Sequence, residues 1–133
     1  MRIFFGLLAS VLAALIIQGG TVYLASLLVE MPAVGTASRQ EIAEAIAAAS
    51  PAAHLVTVAS YLLAGLGAVW IGAAIGRAGW PGWIGVCVIA ALGLVSAFLF
   101  PEPAWAQFGA PIAALVGGFA GRHLVRGAPE ADA

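Results

Sequence analysis

Four long stretches of this chain carry almost no charge. They run Ile3–Val29, Ala52–Ile75, Trp83–Phe100 and about Gln107–Leu124. None contains Asp, Glu or Lys, and the one arginine within them, Arg122, stands at the very end of the fourth. An uncharged apolar run of about 18 residues or more reads as a membrane-spanning helix. A charge at the centre of such a helix costs about 2.5–3.5 kcal/mol, whereas each Leu, Ile, Phe or Val contributes only about 0.3–0.6 kcal/mol to insertion. Stretches this rich in Ala and Gly insert because they hold no central charge. Only 8% of the 133 residues are charged, against about 25% in a soluble domain, so no soluble surface could be built from them.

These gaps predict an all-α integral membrane four-helix bundle in a single domain over residues 1–126, with spans at about 3–29, 52–75, 83–100 and 107–124. The first stretch is too long for a signal-peptide core of about 7–15 residues and is expected to remain as a helix. Between the first two spans, Ser38-Arg39-Gln40-Glu41 matches a capping box, which places a short surface helix at about 39–49. Ser50-Pro51 fits the cap and first position of the second span. The tail, residues 127–133, is small and polar and is expected to be disordered.

Orientation follows from the arginines. With a cytoplasmic N-terminus, Arg2, Arg77, Arg122 and Arg126 all fall on the cytoplasmic side and only Arg39 lies outside, as the positive-inside rule requires. Both termini are therefore expected in the cytoplasm, with the surface helix outside.

Small residues recur at four-residue spacing: Gly6, Ser10 and Ala14 in the first span, Ser60, Ala64, Ala68, Gly72 and Gly76 in the second, Gly109, Ala113, Gly117 and Gly121 in the fourth. In lipid, such rows let helix backbones approach closely. They can face one another or helices of a partner. The few polar side chains in the spans, Gln18, Thr21, Ser26, Thr57, Ser60, Tyr61 and Ser96, gather toward the outer side. Gln18 and Ser60 lie at similar depth, and a hydrogen bond between them would contribute about 0.6 kcal/mol, up to about 1.7. Glu30, His54 and Glu102 stand at the outer mouth. Carboxylates beside an imidazole can hold a cation or relay protons, or simply be solvated.

Other chemistry finds no motif. The lone Cys87 reads as a small core residue, and the His and Cys spacing suggests no metal or cofactor site. Gly65-Leu66-Gly67-Ala68 lacks the third glycine and the preceding strand of a dinucleotide site. A net charge of −1 offers nothing to nucleic acid.

Glu30-Met31-Pro32, the Gly-rich second span, and Pro101-Glu102-Pro103-Ala104-Trp105 before a Gly-rich last span resemble small uncharacterised bacterial four-helix inner-membrane proteins. Such proteins often carry Pro-His-Pro where Glu102 stands here. The resemblance implies a four-helix fold and no particular activity.

The expected function is thus that of a non-enzymatic accessory or scaffold component acting through helix packing. Its partners are the lipid bilayer and a second copy or another membrane protein. A small oligomeric transporter or channel, with Gln18, Ser60 and Tyr61 lining a path between copies, is the alternative. An outer-face enzyme using His54 and Glu102 ranks third.

Overall fold

The computed structural model describes residues 1–32 and 38–127. It is all-helical there, with α1 Arg2–Ala25, α2 Arg39–Ala47, α3 Pro51–Gly76, α4 Trp80–Leu99 and α5 Ala104–Gly127. The four long helices are each apolar and long enough to cross a membrane, so the fold is a four-helix membrane bundle with one short helix at its end. The expected disorder of the tail falls on residues outside the described ones, except for Gly127, which ends α5.

Local chemistry sets most boundaries. Ser38 accepts from the Glu41 N–H at 3.3 Å while its own N–H donates to the Glu41 carboxylate at 2.6 Å, the reciprocal box read from the sequence. The Ser50 hydroxyl accepts from the Ala53 N–H at 3.3 Å, and Pro51 occupies the first turn of α3. Two ends differ from expectation. α1 stops at Ala25 rather than Val29, and the chain continues as a tight turn in which the Ser26 hydroxyl donates to the Tyr23 carbonyl at 2.6 Å. Hydropathy does not change at Ala25, so it carries no stop signal. α5 begins at Ala104 and runs through Pro111, although a proline at that point removes one helical N–H donor.

Packing pairs define the topology. Gly6 lies against Gly72 and Gly76, so α1 and α3 are antiparallel. Gly72 meets Gly82 and Gly93 meets Tyr61, so α3 and α4 are antiparallel. Gly109 meets Val58 and Gly121 meets Leu66, so α3 and α5 run parallel. α3 and α4 form the central pair; α1 and α5 flank it and do not touch each other among the described residues. Arg2, Arg77, Arg122 and Arg126 therefore share one end, and α2 lies at the other.

The interior is built from small side chains. Ala14, Ala64, Ala68 and Ala114 are completely buried, whereas Phe4, Phe98 and Trp70 face outward. A soluble core shows the reverse. In lipid, large side chains gain nothing by hiding, and close backbone contact supplies the cohesion. Gly6, Ser10, Ala14, Gly72, Gly76, Gly117 and Gly121 all lie inside the bundle, and Gly109 is half-buried against Val58. Of the two faces open to them, these rows face one another. Arg77, not glycine, adopts the left-handed conformation that ends α3 (φ 51°). The nearby glycine, Gly76, is held within the helix by packing: a Cβ on Gly6 would lie 2.6 Å from its Cα.

Candidate functional site

At the α2 end the bundle opens into a cavity of about 210 Å³. α3 contributes His54, Thr57 and Tyr61, successive residues on one face of its first three turns. α1 contributes Gln18, α4 contributes Ser96, and the α4–α5 loop folds Glu102 across the mouth. Ile46 of α2 and Met31-Pro32 complete the apolar part of the wall. From His54 to Tyr61 the helix advances about 10 Å, so the cavity descends about two turns into the bundle. Tyr61 forms its floor, with its ring against Gly93; a Cβ there would lie 3.0 Å from the ring. Below Tyr61 the core is dry and small, from Ala14 and Ala64 to Val69, Val86 and Ile89.

His54 and Glu102 also line a second hollow of about 670 Å³ that opens outward past Pro101 and Trp105. The His54 ring is only 7% exposed. It meets Trp105 edge-on, with centroids 6.1 Å apart and planes at 85°. Partial burial raises the Glu102 pKa from its ordinary value, and the neighbouring His54 opposes that rise. The cavity therefore combines an imidazole, a carboxyl, an amide and three hydroxyls.

The sequence pointed to two separate groups, and the structure regroups them. Gln18 and Tyr61 join His54 and Glu102 in one cavity. Ser60 does not take part: it is fully buried, and its hydroxyl donates to the Thr57 carbonyl of its own helix at 2.6 Å. The expected Gln18–Ser60 hydrogen bond is absent among the described contacts, because Ser60 lies one position off the cavity-facing line of α3. Glu30 is also separate. It lines a neighbouring hollow beside Ala48 and Ser50, which shares Met31, Pro32 and Ala49 with the cavity. Trp105, which walls His54, stood out in the sequence only as the end of the Pro101-Glu102-Pro103-Ala104-Trp105 run. No group of three His, Cys, Asp or Glu able to hold a metal occurs among the described residues.

Glu102 makes a pH-dependent contribution whose sign can be checked. Because the folded state retains the proton to higher pH than the unfolded chain, this contribution is fully present below the ordinary carboxylate value of about 4.3. It is lost as pH rises through the raised value. Glu102→Gln is thus expected to melt higher than the parent near pH 7 and equally near pH 4 and below, measured by thermal unfolding in mild detergent. A lower melting temperature for the variant near pH 7 would instead make the attraction to His54 the stronger effect.

No known protein family, no curated protein and no solved structure matches this chain.

Proposed function

We propose that the protein is a non-enzymatic accessory component of a bacterial inner membrane. In this reading both termini are cytoplasmic, and the cavity at the α2 end holds a small polar solute, neutral or cationic, from the outer side. The observation that carries it is the convergence of Gln18, Tyr61, His54 and Glu102, from two helices and a loop, on one cavity. Polar groups inside a membrane bundle are costly and tend to mark binding sites. The positive-inside rule supports the orientation, since Arg2, Arg77, Arg122 and Arg126 share the opposite end. The resemblance to small bacterial inner-membrane proteins supports the location.

Packing supports an accessory role more than a conduit. A path between copies would need Ser60 and Tyr61 on an outer surface, yet Ser60 is fully buried and Tyr61 nearly so. A partner helix would meet α1 instead, where a Cβ on Gly19 or Gly20 would touch nothing within 4 Å.

The test is ligand-induced stabilisation. Thermal unfolding of the purified protein is followed with millimolar ethanolamine as the cationic probe and glycerol as the neutral one. A ligand at a hundred times its Kd stabilises by about 2.7 kcal/mol. A rise in melting temperature with either probe that Gln18→Leu and Glu102→Gln both abolish is the expected result. No rise with either, or a rise that survives both substitutions, would reject the cavity as a solute site.

A further inference from the structure

A second cavity, of about 510 Å³, opens at the arginine end, between α3, α4 and α5. Its floor is apolar and deep: Val69 and Ala73 of α3 are 1% and 8% exposed. Trp80 and Trp83 of α4 stand on one side, and Arg122 and Arg126, one turn apart on α5, stand on the other. No carboxylate is among the residues that line it. Four features therefore coincide: two guanidinium groups on one face of a helix, no acidic partner beside them among the described residues, two indole rings at the start of α4, and an apolar floor leading into the bundle.

We propose that this cleft is a binding site for an anionic phospholipid, with Arg122 and Arg126 holding the headgroup phosphate. Guanidinium groups present a planar fork of donors that matches phosphate oxygens in pairs. Indole rings settle at headgroup level, and a basic recess between spanning helices is suited to anionic headgroups. The apolar lining selects a lipid over a free phosphate: a soluble anion would leave Trp80, 52% exposed, and the partly exposed Val125 uncovered, whereas the glycerol and upper acyl carbons of a lipid cover them. The volume lies within the range of about 300–1,000 Å³ typical of small-molecule sites.

The experiment extracts the full chain from vesicles of mixed phosphatidylcholine and phosphatidylglycerol and counts retained lipids by native mass spectrometry. Each basic side chain at an anionic headgroup contributes a factor of about five, so the pair predicts about twenty-five-fold enrichment of phosphatidylglycerol. Arg122→Gln/Arg126→Gln is expected to remove that enrichment. Arg122→Lys/Arg126→Lys keeps the charge without the fork and should lose less. Arg2→Gln/Arg77→Asn removes two charges at the same end outside the cleft and should leave enrichment intact. Should the double glutamine variant fail to fold, Arg122→Gln and Arg126→Gln singly are each expected to lose about fivefold. Absence of enrichment, or equal loss in the Arg2/Arg77 control, overturns the site. Displacement of phosphatidylglycerol by soluble glycerol phosphate, with equal binding of that anion in neutral vesicles, overturns the lipid as its occupant.

Discussion

Gly117→Val is expected to prevent α3 and α5 from packing, and it should be among the most damaging single substitutions in the chain. A Cβ at position 117 would run into the Leu62 carbonyl and lie 3.0 Å from the Leu66 nitrogen. The contact is reciprocated: a Cβ on Gly65 would run into the Ala114 carbonyl. Both obstacles are helix backbone, so no side-chain rotation can relieve the clash and the helices themselves must separate. Overpacking a core commonly costs about 1–3 kcal/mol, and more where backbone must move. Gly117→Ala should therefore already lower stability by about that amount, and valine should exceed it. Gly19→Ala is the matched control. Nothing lies within 4 Å of its new methyl, and alanine gains about 1 kcal/mol in helix propensity over glycine. Unfolding in mild detergent should place Gly117→Val and Gly117→Ala below the parent and Gly19→Ala level with it or above. Equal behaviour at positions 19 and 117 would mean that α3 and α5 are not in backbone contact.

The contrast between these two glycines shows what sequence alone could and could not reveal. Uncharged stretches mark the spans because central charge is so costly in lipid, and the caps Ser38/Glu41 and Ser50/Pro51 mark helix starts because their side chains satisfy exposed N–H groups. Both signals are local. Which surface a glycine faces is not. The four-residue rows identified Gly72, Gly117 and Gly121, but Gly65, Gly82 and Gly85 lie outside those rows and make backbone contacts of comparable closeness. α3 touches three helices, so it needs small residues around much of its circumference, and a single row cannot describe that. The candidate site had the same limit. Gln18, Tyr61, His54 and Glu102 each stood out, but their convergence depends on the α4–α5 loop folding back over the first turns of α3. Ser60, equally conspicuous in the sequence, points elsewhere because of its register on α3, and Glu30 lies outside the cavity lining, beyond the end of α1.

Ser10→Leu should rival the glycine substitution, because Ser10 sits where α1, α3 and α4 meet. Its side chain is completely buried. The hydroxyl lies 2.8 Å from the Leu7 carbonyl and 2.9 Å from the Pro81 carbonyl of α4, and it can donate to either. A Cβ on Gly85 would lie 2.7 Å from the Ser10 carbonyl oxygen, and one on Gly72 would lie 2.9 Å from the Ser10 Cβ. Position 10 thus joins a polar link to a steric limit, and a substitution series separates them. Ser10→Ala removes only the hydroxyl. An interhelical bond of this kind in a membrane contributes about 0.6 kcal/mol, up to about 1.7, and that loss is the expected effect. Ser10→Cys keeps the approximate size with a weaker donor and should fall near alanine. Ser10→Leu adds three carbons where α3 and α4 already press on the residue, so its penalty should exceed that of alanine by about 1–3 kcal/mol or more. Unfolding of the three variants in the same detergent makes the comparison. A leucine variant as stable as the alanine one would show that α1 can draw away from α3 and α4 at little cost, and that Ser10 holds the helices together by its hydrogen bond alone.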